Sequence, residues 1–125
     1  MRNTKQKELI FKIISSSYNH LTAQEVYTEA RKEIDNISLG TVYRILNNLA
    51  DNHQIVRIKT KSGVDHYDRK EQEKHNHFIC DNCGKIFDVY NAEYLYDDKE
   101  LSDFQIINVD ITFSGICNEC IKGRN

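Results

Sequence analysis

Apolar residues recur with helical spacing three times in the N-terminal part of the chain. In segment 5–18 they fall at positions i, i+1, i+4 and i+5, namely Leu9, Ile10, Ile13 and Ile14. A second stripe follows Thr22, which forms a capping-box signature with Glu25. A third stripe starts after Ser38, a favourable N-cap, and continues to Asn52. The pattern predicts three short helices in close succession.

A β-rich pattern follows the third helix. Segment 55–60 is β-branched and basic, positions 61–63 offer a turn with glycine, and segment 64–68 forms a return strand. Three helices followed by a hairpin is the order of a winged helix-turn-helix, in which the third helix enters the major groove of DNA. The residues predicted to contact DNA are Ser38, Thr41, Tyr43, Arg44, Asn47, Lys59 and Lys61. Periodicity alone equally allows a helical bundle with a merely solvated polar face.

The hydrophobic pattern breaks again in the charged run 69–74, which contains no apolar residue. We expect a hinge at 70–74 between a DNA-binding domain at 1–69 and a second domain at 75–125. The second domain carries strand patterns at 77–80 and 85–90, a weak helical pattern at 91–101 and two β-rich runs within 104–116. The predicted fold class is therefore α+β, with a small C-terminal α/β domain. Because about 50 residues give only a marginal hydrophobic core, this domain is expected to need a stabilising cross-link.

Charge is distributed unevenly over these two parts. The net charge is -2, but residues 1–70 hold 12 Lys and Arg against 8 Asp and Glu, whereas residues 71–125 hold 5 against 11. The first part can face a polyanion such as DNA and the second cannot. In the 125 residues there is no apolar run of the roughly 20 residues that span a bilayer, and the N-terminus lacks the apolar core of a secretion signal. We expect a cytoplasmic protein without a membrane partner.

All four cysteines occur in two Cys-x-x-Cys pairs, Cys80 with Cys83 and Cys117 with Cys120. Two such pairs within one small domain can supply four thiolates to a tetrahedral ion, which predicts one structural zinc per subunit. Gly84 after the second thiolate fits the tight backbone of a zinc knuckle. Disulfides are disfavoured in the cytosol, and a redox Cys-x-x-Cys does not explain two copies. Four thiolates close the coordination sphere, so this metal is not expected to be catalytic.

A second group of potential ligands contains no sulfur. His75 and His77 alternate on a predicted strand and so share a face, and Asp88 lies on the next strand. Asp68 ends the wing and His20 precedes the second helix. Imidazole and carboxylate ligands suit Fe²⁺ or Mn²⁺. From spacing alone, ordinary surface histidines and aspartates fit as well.

Two longer motifs resemble those of a known family. The run 75–88, HNHFICDNCGKIFD, resembles the metal-site signature of the ferric uptake regulator (Fur) superfamily, and 38–46, SLGTVYRIL, resembles its recognition helix. The resemblance implies a homodimeric, metal-dependent repressor that binds double-stranded operator DNA and no small organic substrate. It also implies a structural zinc and one regulatory Fe²⁺ or Mn²⁺ per subunit.

The regulatory ligands implied by the resemblance are those of the peroxide-sensing branch, PerR: His20, Asp68, His75, His77 and Asp88. In that branch iron-catalysed oxidation of a ligand histidine, here His20 or His75, causes derepression. Asp68 separates this branch from iron sensors, which usually carry Glu there, whereas Arg44 is more similar to iron-type recognition helices. An iron-responsive repressor is therefore the alternative. A non-haem iron oxygenase and a zinc-stabilised interaction module are further alternatives, and we expect no enzyme because five protein ligands leave little room for substrate.

Overall fold

The computed structural model describes residues 4–70, 75–90, 98–107 and 109–123. The chain divides into two compact units, Met1–Gln72 and Glu73–Asn125. Most of the predicted hinge lies outside the described residues, so the hinge stays a prediction. None of the helices in the described ranges combines the length and the apolar character that a membrane crossing requires.

Three helices form the body of the first unit. They are α1 (Thr4–Ser15), α2 (Ala23–Ala30) and α3 (Leu39–Asp51). The predicted capping box is present, because Thr22 Oγ1 accepts from the Glu25 amide at 3.2 Å while the Thr22 amide donates to Glu25 Oε1 at 2.8 Å. Ser38 caps α3 by accepting from the Thr41 amide. Side-chain caps thus start both helices at the positions predicted from the sequence.

A three-stranded antiparallel sheet completes this unit. Its strands are β1 (Leu21–Thr22), β2 (Ile55–Ile58) and β3 (His66–Arg69), in the order β1-β3-β2. Gly63, with a φ of 86°, occupies the turn between β2 and β3 in a conformation that favours glycine. The hairpin is the predicted wing, whereas β1 was not predicted. A two-residue strand has no periodicity of its own and exists only through its pairing with β3.

The core of the first unit lies between the helices and the sheet. The apolar stripes of the three helices are buried together with Ile55 and Tyr67 of the wing strands. Val42, Leu46 and Leu49 of α3 are each at most 1% exposed. The opposite face of α3 is therefore the one left for a partner.

A second three-stranded sheet forms the second unit. Its strands are β4 (Asn76–Cys80), β5 (Ile86–Val89) and β6 (Thr112–Gly115), with β4 in the centre, antiparallel to β5 and parallel to β6. A 3-10 helix covers Asp98–Leu101, and the short helix α4 (Asn118–Gly123) follows the last strand.

The prediction for segment 91–116 was partly wrong. Of the two β-rich runs predicted within 104–116, the described residues form one strand, β6, and positions 105–107 have no regular structure. Ile107 is 91% exposed, and β propensity without a neighbouring strand to pair with does not form a strand. Residues 91–97 of the predicted weak helix lie outside the described residues, and 98–101 form the 3-10 helix instead of an α-helix.

Candidate metal centres and nucleic-acid interface

The four cysteines converge at one end of the second sheet. Cys80 ends β4, Cys83 lies in the turn that follows, Cys117 precedes α4 and Cys120 lies within it. All four sulfur atoms lie within 4.8 Å of one another. The Sγ–Sγ distances from Cys80 to Cys120 and from Cys83 to Cys117 are both 3.8 Å. A tetrahedron with Zn–S bonds of about 2.3 Å has edges of about 3.8 Å, so this geometry fits a tetrathiolate ion.

Backbone amides around this cluster point at the sulfur of Cys80. The amides of Cys83 and Cys117 donate to Cys80 Sγ at 3.4 and 3.3 Å. These hydrogen bonds favour the thiolate and lower the pKa of Cys80 to about 6. Gly84, at a φ of 79°, closes the turn and donates its amide to the Cys80 carbonyl. The turn thus stabilises the thiolate form of Cys80, which is the form that binds a cation.

The thiol of Cys120 is shifted in the opposite direction. A hydrogen bond with the Asn82 side chain favours its thiolate, but the neighbouring thiols and burial outweigh that bond and raise the pKa of Cys120 to about 11. Four sulfur atoms this close resist carrying four negative charges without a cation among them. The cluster therefore gains from a bound ion whose positive charge offsets the thiolates.

A histidine–carboxylate set lies on the same sheet. His77 on β4 is paired with Asp88 on β5. The Nε2 atoms of His75 and His77 lie 3.3 and 3.5 Å from Asp88 Oδ1, and the two imidazole rings are 4.8 Å apart. Their side chains are 5% and 9% exposed. Two imidazoles and one carboxylate thus converge on a common point with little water around the rings.

The remaining two predicted ligands form a pair within the first unit. His20 Nε2 lies 3.6 Å from Asp68 Oδ2, and the Asp68 side chain is 3% exposed. The pairing of β1 with β3 holds the residue before β1 next to the strand that carries Asp68. The ring of His66 also donates from Nδ1 to the His20 carbonyl at 2.7 Å. Each unit therefore presents part of the predicted sulfur-free ligand set.

The predicted DNA-contacting residues differ in the solvent exposure and the internal hydrogen bonds of their side chains. Tyr43 is 45% exposed, and Arg44, Lys59 and Lys61 are also exposed. Ser38 and Thr41 bond to each other at the start of α3 through their hydroxyls, at 2.9 Å. The exposed set gives this face of the first unit a positive and hydrogen-bonding character suited to a nucleic acid backbone.

The side chain of Asn47 is hydrogen-bonded to both strands of the wing. Its Oδ1 accepts from Tyr67 Oη at 3.2 Å and from Arg57 Nη2 at 3.1 Å. Burial raises the pKa of Tyr67, which keeps its hydroxyl protonated as a donor. Burial alone would lower the pKa of Arg57, but its interactions with Asp51 and Tyr67 hold that pKa above the ordinary value. Sequence reasoning missed Arg57 and Tyr67, although their spacing places them opposite each other on the predicted wing.

A winged helix with an exposed polar recognition face, combined with a unit that carries a thiol cluster and a histidine–carboxylate set, defines a metal-responsive DNA-binding regulator. The sequence pattern of the Ferric uptake regulator family matches residues 1–114. The chain belongs to this family. The resemblance inferred from the motifs and the α+β fold class are both confirmed, and so is the prediction that the protein is no enzyme, because members of the family are transcriptional regulators.

Relatives of two kinds are similar to the chain. The Ferric uptake regulation protein of Helicobacter pylori is 30% identical over 123 residues, covering 96% of this chain and 82% of its own length. The Peroxide-responsive repressor PerR of Staphylococcus epidermidis is 32% identical over 132 residues, covering 100% and 85%. The solved structure of Helicobacter pylori Fur, described as revealing three functional metal binding sites, is similar with a TM-score of 0.75 at 29% identity, covering 95% and 81%. A ferric uptake regulation protein and a peroxide-responsive repressor thus match the chain to a similar degree.

Proposed function

We propose that the protein is a metal-dependent repressor that binds double-stranded operator DNA as a homodimer and senses peroxide. The observation that carries this proposal is the separation of ligand types. Four thiols form one cluster, while His75, His77 and Asp88, like His20 and Asp68, form sets without sulfur. A closed thiolate site suits a permanent ion, and an imidazole–carboxylate site suits an exchangeable Fe²⁺ or Mn²⁺.

The thiol cluster is proposed to hold one structural Zn²⁺ per subunit through Cys80, Cys83, Cys117 and Cys120. The Sγ–Sγ distances of 3.8 Å and the amides directed at Cys80 support this assignment. The sulfur atoms pack at 3.8 Å and form no disulfide, which also agrees with the proposed cytoplasmic location, where disulfides are rare. Zinc bound here would link the turn after β4 to the start of α4.

The regulatory site is proposed to take one Fe²⁺ or Mn²⁺ per subunit from all five sulfur-free ligands. His20 and Asp68 belong to the DNA-binding unit, whereas His75, His77 and Asp88 belong to the second unit. An ion shared by both sets would fix the angle between the units. If that angle spaces two recognition helices by about one turn of DNA (~34 Å), metal binding and operator binding are thermodynamically linked.

The dimer and the DNA contacts are supported by the exposed side chains of each unit. Phe104 and Ile107 are 67% and 91% exposed, which provides apolar surface for a second copy of the chain. We propose that seven residues contact the operator. Tyr43, Arg44, Lys59 and Lys61 present exposed side chains, and Ser38, Thr41 and Asn47 lie on or next to α3. Each positive side chain that contacts a phosphate releases counterions, so operator binding is expected to weaken as salt increases.

Peroxide sensing is proposed to act through His20 or His75. Bound iron supplies the redox chemistry, while the protein places an imidazole ring next to it. The ring gains one oxygen atom and peroxide is reduced to water. An oxidised ring is a poorer ligand, so the two units would no longer be held at the DNA-binding angle. Mn²⁺ would act as corepressor without this oxidation.

Peptide mass spectrometry tests this proposal directly. Protein loaded anaerobically with Fe²⁺ is treated with stoichiometric peroxide, with Mn²⁺-loaded protein as the control. We expect one added oxygen on the peptides that carry His20 or His75, with iron only, together with loss of operator binding.

The alternative is an iron-responsive repressor, in which reversible Fe²⁺ binding is itself the signal. The similarity to Helicobacter pylori Fur supports it. In that case both histidines stay unmodified after peroxide treatment, and removal of iron alone releases the operator.

A further inference from the structure

A hydrogen-bond network joins the recognition helix to the wing of the first unit. Asn47 and Asp51 lie four residues apart on α3 and thus on one face. Arg57 Nη2 on β2 donates to Asn47 Oδ1 at 3.1 Å and to Asp51 Oδ1 at 3.2 Å. Tyr67 Oη on β3 donates to the same Asn47 oxygen at 3.2 Å. One amide oxygen of the recognition helix therefore receives bonds from two strands.

The sheet register explains why these two strands converge on Asn47. Arg57 and Tyr67 are direct partners in the antiparallel pair β2–β3, so their side chains project from the same face. Tyr67 is only 1% exposed, and its ring is packed in the core of the unit. Because the ring is packed on all sides, its hydroxyl has little freedom to move. The hydrogen bond to Asn47 therefore has a well-defined geometry.

Tyr67 directly precedes Asp68 on β3, the central strand of this sheet. Successive side chains of a strand project from opposite faces. Tyr67 therefore reaches α3 from one face of β3, while Asp68 lies on the other face beside His20. Because Tyr67 and Asp68 are consecutive on one strand, any displacement of the Asp68 backbone would also displace the hydroxyl that bonds to Asn47.

We propose that Tyr67 is a positioning residue that transmits metal binding at His20 and Asp68 to the recognition helix through Asn47. This inference rests on the proposed function, because it needs a regulatory ion bound by Asp68. It adds a specific route within the DNA-binding unit, separate from any change in the angle between units. The geometry assigns Asn47 a position-holding role that its exposed place on α3 did not indicate.

The test compares DNA affinity with and without Mn²⁺ in full-length zinc-loaded protein. The probe is a DNA duplex selected from a random-sequence pool by the Mn²⁺-loaded wild type. The quantity measured is the ratio of the metal-free to the Mn²⁺-bound dissociation constant for this duplex. We expect Tyr67→Phe, which removes only the hydroxyl, to lower this ratio by about threefold to tenfold, the range for one hydrogen bond.

Tyr27→Phe is the matched control, because Tyr27 Oη accepts a bond from Arg31 Nη1 at 2.8 Å elsewhere in the same unit. Its ratio should equal that of the wild type. A purely structural role for Tyr67 would weaken metal-free and Mn²⁺-bound DNA binding equally and leave the ratio unchanged, which would overturn the inference. An equal loss in Tyr27→Phe would also overturn it.

A second variant, Asn47→Ala, removes the acceptor from an exposed helix position and reports on the same contact if Tyr67→Phe does not fold. It too should lower the ratio, and Tyr67→Phe should have no further effect on the ratio in the Asn47→Ala background. Additive losses in the double variant would contradict the proposed contact. A wild-type ratio of one would instead refute the proposed function, so the two failures are distinguishable.

Discussion

At the scale of single residues, Asp68 is the proposed ligand whose removal distinguishes the two proposed metal sites. It is buried, lies 3.6 Å from His20, and has no part in the thiol cluster. We expect Asp68→Ala to weaken Mn²⁺ binding by more than about 100-fold, since loss of an outer-shell partner alone costs up to that much. Metal-dependent DNA binding should be abolished, while zinc content and dimerisation stay unchanged. Isothermal titration with Mn²⁺, DNA-binding assays and zinc analysis measure these quantities.

Asp65→Ala is the control for this variant. Asp65 lies three residues earlier in the wing, and its carboxylate pairs with Lys59 at 3.9 Å. It should bind Mn²⁺ as the wild type does. Full metal-dependent DNA binding by Asp68→Ala would contradict the proposed regulatory site.

The candidate site shows which residue properties a sequence can reveal. The four cysteines were predictable as a group because their paired spacing is itself a signature, and their sulfur atoms do converge. Asn47 is predicted to contact DNA because it occupies a polar helix face. Its bonds to Arg57 and Tyr67 depend on the packing of a sheet against that helix, which helical periodicity does not encode.

At the scale of elements, the capping box of α2 links helix stability to the strand before it. Thr22 caps α2 and is also the last residue of β1. We expect Thr22→Ala to lower the free energy of unfolding by about 1 kcal/mol, because the hydroxyl that accepts from the Glu25 amide and donates to Glu25 Oε1 is lost. Urea denaturation followed by circular dichroism measures this change.

Thr28→Ala serves as the comparison, because Thr28 is an exposed mid-helix residue whose hydroxyl bonds to the Gln24 carbonyl. It should change the free energy of unfolding by less than about 0.5 kcal/mol. Equal effects of the two variants would contradict the role assigned to the cap.

Local sequence signals determine how far the elements could be predicted. The three helices carry both periodicity and caps, and the wing has a glycine turn, so all were predicted within a few residues. β1 and the parallel pairing of β6 with β4 depend on residues far apart in the chain. The helix α4 is a single short segment after the last strand, too brief to show a periodic stripe. Such elements arise from tertiary contacts that a local pattern does not contain.

At the scale of the whole molecule, the two units differ in what stabilises them. The first unit buries the apolar stripes of three helices, whereas among the described residues of the second unit the buried apolar side chains are Ile79, Cys80 and Cys117. Two of these three are thiols of the cluster. A unit with so small a core would depend on the ion proposed to join its thiols, since metal-binding free energy contributes directly to folding.

We therefore expect zinc removal to unfold the second unit selectively. In chelator-treated full-length protein, amide hydrogen exchange should accelerate in β4, β6 and α4, while α1, α3 and β3 keep their protection. Extraction should be faster at lower pH, because protons compete with the ion for the four thiolates. If Zn²⁺ restores the protection of these amides and Mn²⁺ does not, the effect belongs to the thiol cluster and not to the proposed regulatory site. An equal loss of protection in both units would instead mean that the first unit has no independent stability, although its core contains no ligand of the thiol cluster.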